Sequence, residues 1–436
     1  MLANGTIVKT TTGETIKVIK YLGGGGQGDV YFCQFRGETK VLKWYKNLGK
    51  NPRQFRKNLI KNCDAGSPDP MFLWPLAVTE VKDHSFGYVM DLVDKNNYFE
   101  VSEYVLANVR FSSYVAAVES CIRIVNAFRI IHRKGFSYKD LNDGNFFINP
   151  LNGDLRIGDN DNVSPDGEDI GILGKPRYMA PELVRGDKDA NGKYVVPNAM
   201  TDCFSLAVIL FLILCNSHPL EGKKWASIVC MTPNNATQLY GHHPLFIFDE
   251  NSKENEATKV SSPNALRIWK YLPDYIQRLF KDAFSQDTML KNPARRPTET
   301  MWLRGLARFR NSIYKCGCGN EIFYNNPHQI VCDGCGRRIT PSLILKFPDY
   351  ECALVAKMKI YRCQIIPNSN IDSAIMPAFR ILPRKDDPTK LFIDNISTQD
   401  IIIVGPNGNV CLKQNEKYQL TKGLSIKVFE GSIDVI

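Results

Sequence analysis

A polar loop runs directly into an apolar strand at residues 138–148, which read Tyr138-Lys139-Asp140-Leu141-Asn142-Asp143-Gly144-Asn145-Phe146-Phe147-Ile148. Asp140 and Asn145 lie five residues apart, and Gly144 between them lets the loop turn. A second acidic cluster, residues 159–161, follows a short apolar strand. Phosphoryl transfer uses one carboxylate to orient the attacking hydroxyl, and a separate Asn and Asp to hold magnesium ions on the phosphates. The same residue types also form ordinary solvated turns, so the flanking sequence has to decide between the two interpretations.

Composition limits the classes of protein that fit this chain. Its 436 residues suffice for two or three domains, and 44% hydrophobic with 23% charged residues is ordinary for a globular protein. The net charge of +10 suits an anionic ligand, but no basic stripe predicts a nucleic-acid partner. The N-terminus lacks a signal pattern, and the longest apolar run, 204–215, is too short to span a bilayer. We therefore expect a cytoplasmic protein without a membrane partner.

A glycine-rich turn joins two predicted strands near the N-terminus. Gly23, Gly25 and Gly28 fit the spacing G-x-G-x-x-G, which lets a backbone approach phosphates closely. A dinucleotide-binding turn has the same spacing but continues into a helix, whereas a second strand follows here. In the next strand, residues 39–45, alternation puts Val41 and Lys43 on one face. This arrangement predicts a nucleotide site in which Val41 packs on the base and Lys43 reaches the phosphates.

Taken together, the motifs resemble those of protein kinases over residues 21–308. Residues 138–145 resemble H-R-D-L-x-x-x-N, residues 174–182 resemble the end of the activation segment, and residues 295–298 contain its R-P-T partner. The resemblance implies a catalytic base at Asp140, and magnesium or manganese ligands at Asn145 and Asp159, with Asp161 as an extra ligand. It implies ATP-binding positions at Gly23, Gly25, Gly28, Val30, Val41, Lys43, Met90, Asp91 and Val93. It also implies structural roles for Asp202, which holds the catalytic loop, and for a buried pair of Glu182 with Arg296.

Several positions depart from the kinase pattern. The helix predicted over residues 52–63 contains no acidic partner for Lys43; Asn58 or Asn62 falls near the expected position, and Asp64 is another source of a carboxylate. Asn142 stands where serine/threonine kinases carry a phosphate-binding lysine. Lys175 stands where they carry a threonine next to that lysine. We therefore expect Lys175 to supply the missing cation and to be catalytic.

Four of the thirteen cysteines have metal-ligand spacing. Cys316 and Cys318 form C-x-C, Cys332 and Cys335 form C-x-x-C, and glycines follow the cysteines. Four thiolates within tetrahedral reach select zinc, and a closed four-Cys site is structural. Two disulfides or four buried thiols are the alternatives. The sequence thus predicts a zinc ribbon.

The last hundred residues are rich in predicted strands. These are residues 353–366, 391–393, 400–404, 410–412 and 425–429, and Pro-Asn-Gly at 406–408 predicts a hairpin turn. Such a pattern favours a small β-sandwich, which loosely resembles forkhead-associated domains. No phosphate-binding arginine could be assigned, so a structural or docking sandwich is the stronger alternative.

The expected fold is α+β, a bilobal protein-kinase-like fold followed by a four-Cys zinc ribbon and a small all-β sandwich. The predicted domains are residues 1–92 (N-lobe), 93–312 (C-lobe), 313–340 (ribbon) and 341–436 (sandwich). The motif combination resembles bacterial kinases of the tellurite-resistance-associated triad. That resemblance implies an ATP-dependent serine/threonine kinase whose protein partners are a von Willebrand factor A-domain protein and a cognate phosphatase. A nucleotide-binding pseudokinase scaffold and a pure interaction adaptor are the alternatives.

Overall fold

The computed structural model describes residues 1–48, 51–172, 174–366 and 376–436, which form two compact units. The first consists of Met1–Arg110, Ala127–Pro263 and Ala283–Arg296; the second consists of Phe111–Asn126, Asn264–Asp282 and Pro297–Ile436. The domain bounds expected at residues 92, 312 and 340 do not coincide with this division. Helical segments that precede residue 312 belong to the second unit, and the expected bounds stay a prediction.

An antiparallel sheet with strand order β1-β2-β3-β4-β6-β5 opens the first unit. Alternating apolar residues, among them Ile16, Val18, Tyr31 and Leu42, direct one face to a core. The strands predicted on both sides of the glycine-rich turn and the strand containing Lys43 are confirmed. The bounds are β1 (Ile7–Lys9), β2 (Thr15–Gly24), β3 (Gly28–Phe35), β4 (Glu38–Tyr45), β5 (Ala77–Val78) and β6 (Gly87–Met90).

Helix α1 (Pro52–Ala65) follows β4 and lies in the first unit. It begins at Asn51, whose side chain accepts a hydrogen bond from the backbone of Gln54, and a proline occupies its first turn. Phe55 and Leu59 of this helix share a core with Tyr45 and Tyr88 of the sheet. The predicted helix over residues 52–63 is therefore confirmed, and its apolar face fixes it beside the strand of Lys43.

The helical part of the chain follows, interrupted by short strands. Apolar residues recur at helical spacing over residues 113–132, which predicts a helix, and α3 confirms it. The helices are α2 (Val101–Val105), α3 (Tyr114–Arg133), α4 (Pro181–Arg185), α5 (Ala199–Cys215), α6 (Lys223–Ala226), α7 (Pro233–Thr237), α8 (Pro263–Trp269), α9 (Asp274–Ala283), α10 (Gln286–Leu290) and α11 (Glu299–Asn311). The strands are β7 (Phe99–Glu100), β8 (Phe136–Ser137), β9 (Phe146–Ile148), β10 (Leu155–Ile157) and β11 (Ser164–Pro165).

Helix α5 is the buried centre of the helical part of the first unit. Asn198 and Thr201 form a reciprocal capping box at its start, and every side chain from Thr201 to Cys215 is buried. An apolar run too short to cross a bilayer predicts a buried core helix, and residues 204–215 form one as part of α5. Within the described parts of the chain, no helix combines the length and apolar character needed to cross a membrane.

Two hairpins and two β-sheets dominate the second unit. Strands β12 with β13 and β14 with β15 form the hairpins; the sheets have the orders β17-β16-β25-β24-β21-β22 and β18-β19-β20-β23. Both sheets contribute buried side chains to one hydrophobic core. The bounds are β12 (Ile313–Lys315), β13 (Glu321–Phe323), β14 (Ile330–Val331), β15 (Arg338–Ile339), β16 (Ile344–Lys346), β17 (Glu351–Ala353), β18 (Lys359–Tyr361), α12 (Arg362–Ile365), β19 (Pro377–Pro383), β20 (Leu391–Asn395), β21 (Ile401–Gly405), β22 (Gly408–Leu412), β23 (Lys417–Gln419), β24 (Ser425–Val428) and β25 (Gly431–Val435).

The strand predicted over residues 353–366 is wrong. Strand β17 ends at Ala353, β18 covers three residues, and the helical turn α12 follows. The extended conformation is already broken before β18, where Lys357 has a φ of 67°. After β18 the side chain of Gln364 stabilises the helical turn, because its Oε1 accepts from the backbone N–H of Tyr361 at 2.9 Å while its Nε2 donates to the hydroxyl of Tyr350 at 2.6 Å. A side chain that caps the backbone in this way stabilises a turn at the expense of a strand.

A buried ion pair joins α4 to the segment after α10 in the first unit. Arg296 donates from Nη1 to Glu182 Oε1 and from Nη2 to Glu182 Oε2, both at 2.7 Å. The side chains of Arg296 and Glu182 are only 1% and 8% exposed. Two parallel hydrogen bonds satisfy both charges, as a buried pair requires. The contact expected between these residues is thus present.

Arg296→Ala should strongly destabilise the protein, because it leaves the Glu182 carboxylate buried without its partner. Removing one member of a buried pair typically costs about 3–5 kcal/mol of unfolding free energy. Arg295→Ala is the matched control, since the neighbouring side chain is 73% exposed. Urea unfolding of both variants measures the difference, and equal stability of the two would contradict the structural role of the pair.

Candidate active site

The loop at residues 138–145 is anchored from α5. Asp202 accepts hydrogen bonds from the backbone N–H of Tyr138 at 2.6 Å and of Lys139 at 3.1 Å. His132 Nε2 lies 3.0 Å from the same carboxylate. Lys139 has a φ of 74°, a left-handed conformation that needs such support in a residue other than glycine. The carboxylate of Asp202 therefore holds the backbone of this loop in the position expected for it.

Asn142, Asn145 and Lys175 surround Asp140. The amide of Asn145 donates to the carbonyl of Asp140 at 2.8 Å, and the amide of Asn142 lies 3.3 Å from the Asp140 carboxylate. Lys175 Nζ donates to Asn142 Oδ1 at 3.1 Å, although the two residues are far apart in sequence. Burial and the charge of Asp159 raise the pKa of Asp140, and the cation of Lys175 opposes that shift. Lys175 thus belongs to the neighbourhood of Asp140.

The acidic cluster at 159–161 forms a 3-10 turn, Asn160–Asn162, after strand β10. Asp159 precedes the turn in a left-handed conformation with a φ of 48°, and its side chain is 38% exposed. The side chain of Asp161 is 0% exposed. The two carboxylates therefore have opposite environments. An exposed carboxylate has oxygens free for a hydrated ion, whereas a fully buried one must find its partners within the protein.

Lys43 lies between these two carboxylates. Its Nζ is 3.1 Å from Asp159 Oδ1, 3.0 Å from Asp161 Oδ2 and 3.1 Å from Gln27 Oε1. Burial acts to lower the pKa of Lys43, but the charges of Asp161 and Asp159 outweigh it and the pKa is raised. Lys43 therefore remains a cation at neutral pH, on the face of β4 that its alternation predicted.

Asp161, which was expected as an extra magnesium ligand, contacts several protein donors, and its role as a metal ligand stays a prediction. Besides Lys43, it accepts from the hydroxyl of Tyr45 at 2.5 Å and from that of Tyr88 at 3.3 Å. Both oxygens are thus used by protein donors in a site closed to solvent. Sequence reasoning missed Tyr45 and Tyr88. A signal was present for Tyr45, which shares the strand face of Lys43 by alternation, whereas Tyr88 lies opposite Lys43 through the pairing of β4 with β6, which only the structure shows.

The expected ATP-binding residues come from neighbouring strands of the N-terminal sheet. The turn between β2 and β3 is closed by a hydrogen bond from the N–H of Gly25 to the carbonyl of Gly28 at 2.9 Å. A Cβ at Gly28 would lie 2.4 Å from the carbonyl oxygen of Trp44, so glycine is required there. Val30 pairs with Lys43 and Val41 pairs with Met90 across the ladders. The other residues expected to bind ATP, Gly23, Asp91 and Val93, lie on these strands or just after them.

A cavity of about 280 Å³ opens beside the catalytic loop within the first unit. Its walls include Gln27 from the glycine-rich turn, Phe55 from α1, Asp140, and Lys175 from the segment before α4. An approaching hydroxyl group could reach Asp140 from this space, because the carboxylate forms part of the wall. Asp140 and Lys175 therefore share the wall of one cavity.

The four cysteines with metal-ligand spacing converge in the second unit. Each sulfur lies within 4.8 Å of the others, with Cys316 Sγ 3.8 Å from Cys335 Sγ and Cys318 Sγ 3.6 Å from Cys332 Sγ. These distances are too long for a disulfide, and all four thiols are free. The hairpins β12–β13 and β14–β15 bring the two pairs together.

The chain belongs to the protein kinase family, since the family model described as "Protein kinase domain" matches residues 16–304. It is 31% identical over 147 residues to a probable serine/threonine-protein kinase MARK-C of Dictyostelium discoideum, covering 33% of this chain and 16% of that protein. It is 22% identical over 223 residues to the serine/threonine-protein kinase PrkC of Bacillus subtilis, covering 49% of this chain and 32% of PrkC. The chain thus spans at most about a third of these two relatives.

A solved structure also resembles the chain, namely the kinase domain of PknI from Mycobacterium tuberculosis. The sequence identity is 15% and the TM-score is 0.44, with 71% of this chain and 99% of the other covered. Family membership rests on the match over residues 16–304.

Proposed function

We propose that the protein is an ATP-dependent serine/threonine protein kinase. The observation that carries this proposal is the 3.1 Å contact between Lys43 Nζ and Asp159 Oδ1. These residues are 116 positions apart in sequence, and they match the phosphate-binding lysine and the metal-binding aspartate of the family. Their contact brings the two groups that would hold the triphosphate to one point, as phosphoryl transfer requires.

The chemistry proposed for this site is in-line transfer of the γ-phosphoryl group. Asp140 would accept the proton of a serine or threonine hydroxyl while a new oxygen–phosphorus bond forms and the bond to the β-phosphate breaks, releasing ADP. Asp159 and Asn145 suit Mg²⁺ or Mn²⁺, because these ions prefer carboxylate and amide oxygens. The bound ion would neutralise phosphate charge, and Lys43 would orient the β-phosphate side of the nucleotide.

Lys175 would replace the lysine that serine/threonine kinases carry at the position of Asn142. The lysine ammonium donates to Asn142 Oδ1 at 3.1 Å and acts electrostatically on Asp140. A positive charge at this point would stabilise the developing charge on the transferred group. This contact favours an active kinase over the pseudokinase scaffold, which was motivated partly by the loss of the lysine at position 142.

We further propose that the four-Cys cluster holds a structural zinc ion. A tetrahedron with zinc–sulfur bonds of about 2.3 Å has sulfur–sulfur edges of about 3.8 Å. The sulfur–sulfur distances of 3.8 Å between Cys316 and Cys335 and 3.6 Å between Cys318 and Cys332 fit that geometry. Four protein ligands leave no open position on the ion, so its role would be to fold the two hairpins rather than to catalyse a reaction.

The protein partners proposed are those of the tellurite-resistance-associated triad, a von Willebrand factor A-domain protein as substrate and a metal-dependent phosphatase. The support is the motif combination of residues 138–148, 159–163 and 174–182 with the four-Cys cluster. Radiolabel transfer from ATP to the purified A-domain protein tests the pairing. If phosphate is transferred to a general kinase substrate but not to the A-domain protein, the proposed kinase activity stands and the proposed partner is refuted.

Asp140→Asn should abolish phosphoryl transfer and leave ATP affinity nearly unchanged, because the carboxylate contacts the hydroxyl rather than the nucleotide. Asp143→Asn, three residues along the same loop, is the matched control and should keep most of the activity. Transfer of labelled phosphate and calorimetric ATP binding provide the two readouts. Near-normal turnover of a folded Asp140→Asn protein would refute the assignment of the base.

Lys175→Ala should lower kcat by about 10²- to 10³-fold, the usual loss when one transition-state charge contact is removed. The exposed Lys193→Ala serves as the control for a general change of charge. Asn142→Lys combined with Lys175→Thr should recover part of the loss, because both positions act on the same phosphate oxygens. If Lys175→Ala turns over like the wild type, Lys175 has no catalytic role.

Elemental analysis should find about one zinc per chain, and Cys332→Ser should lower that content sharply. Cys411→Ser is the matched control, because Cys411 is an exposed cysteine outside the cluster. Chelation should also expose residues 313–340 to proteases while the metal is absent. Zinc-free protein with these hairpins still protected would rule out the site.

A further inference from the structure

Helix α1 does not provide the carboxylate that Lys43 needs. Its one acidic residue, Asp64, lies in the last turn and is exposed. Asn58 and Asn62, which fall near the expected position, are both buried and both donate their amides to the carbonyl of Val163 at 2.7 Å. The helix therefore holds the backbone that follows the acidic 3-10 turn, rather than the lysine itself.

The carboxylate that faces Lys43 from the protein interior belongs to Asp161. Lys43 donates to both of its oxygens, at 3.3 and 3.0 Å, and the side chains of the two residues are 7% and 0% exposed. The hydroxyls of Tyr45 and Tyr88 occupy the remaining acceptor positions of Asp161. A buried pair whose polar atoms are all satisfied has one well-defined geometry, and this geometry fixes the direction of the ammonium.

We propose that Asp161 is the positioning residue for Lys43, in place of the glutamate that protein kinases carry on the helix after this lysine. The inference rests on the proposed function and extends it. One short turn would then set both the metal ligand Asp159 and the orientation of Lys43, and α1 acts on the site indirectly through the two amides that hold Val163.

This arrangement couples the phosphate-binding lysine to the metal-binding turn without a helix carboxylate. Asp159 and Asp161 are two residues apart and contact the same ammonium from two sides. A movement of the turn would therefore displace the lysine and the metal ligand together. Correct placement of this turn would therefore be enough to assemble the nucleotide site. No carboxylate on α1 has to move into position.

Asp161→Asn tests the pairing through nucleotide affinity. The variant should bind Mg·ATP about 10- to 100-fold more weakly, the loss expected for one charge-assisted hydrogen bond, while its affinity for adenosine is little changed. Asp64→Asn, the matched control on α1, should bind both like the wild type. Equal losses for ATP and adenosine, or an effect of Asp64→Asn instead, would overturn the proposal.

A double-mutant cycle with Lys43→Met separates positioning from metal binding. If Asp161 acts through Lys43, Asp161→Asn should cause no further loss of ATP affinity in the Lys43→Met background. A full additional loss there would assign Asp161 to the metal and overturn the proposal.

Thermal stability without nucleotide provides a readout that does not depend on catalysis. Asp161→Asn should lower Tm in the wild type, where it breaks the pair. It should raise Tm in the Lys43→Met background, where it removes a buried carboxylate that has lost its cation. The same decrease in both backgrounds would refute the pairing. A wild type that binds ATP but transfers no phosphate would refute the proposed function alone, since the affinity and stability cycles would still decide the role of Asp161.

Discussion

A lysine ammonium in the protein interior is the constraint around which the site is arranged. Lys43 is 7% exposed, and a buried cation is tolerated only where carboxylates and hydrogen-bond acceptors surround it. The chain supplies two carboxylates from the segment after β10 and an amide oxygen from the glycine-rich turn. Three segments distant in sequence must therefore meet at one point. Strand β4, the glycine-rich turn and the segment after β10 are held together within the first unit by these contacts.

The buried carboxylate of Asp202 fixes the backbone of the loop at residues 138–145. Asp202 extends from α5, whose side chains from Thr201 onward are buried, so its own position is fixed by packing. Asp202 accepts hydrogen bonds from two backbone N–H groups, and these bonds hold the loop that carries Asp140. The hydroxyl of Tyr138 then donates to the carbonyl of Gly158, just before Asp159 and the 3-10 turn. The loop and the turn are thereby joined by hydrogen bonds rather than by chain connectivity.

The departures from the usual kinase motifs are related to one another in space. Asn142 removes a cation beside Asp140, and Lys175 contacts Asn142 from the segment before α4. Helix α1 lacks a carboxylate, and Asp161 supplies one to Lys43. In both cases the charge that one element loses is provided by another element near the same point. Coulomb energy depends on the distance between charges and not on which segment carries them, so a group from another element can replace a missing one.

Local patterns in the sequence were enough to predict the strands around the glycine-rich turn, helices α1, α3 and α5 and the convergence of the four cysteines, and the resemblance to protein kinases implied the buried pair of Glu182 with Arg296. Each of these depends on periodicity or on motif spacing, which the order of residues contains directly. The strand predicted at 353–366 failed because Lys357 adopts a left-handed conformation between β17 and β18, and Gln364 then caps a helical turn after β18.

The partner of Lys43 could be decided only by the tertiary structure. Asp161 appeared in the sequence as an extra metal ligand, because adjacent carboxylates resemble a metal site and nothing in the order of residues reports burial. The 3-10 turn separates the neighbours, leaving Asp159 partly exposed and turning Asp161 inward to Tyr45 and Tyr88. The sequence by itself determined which acids were available in this segment. Their roles depend on the dielectric environment and on the partners of each oxygen, which exist only once distant segments have packed together.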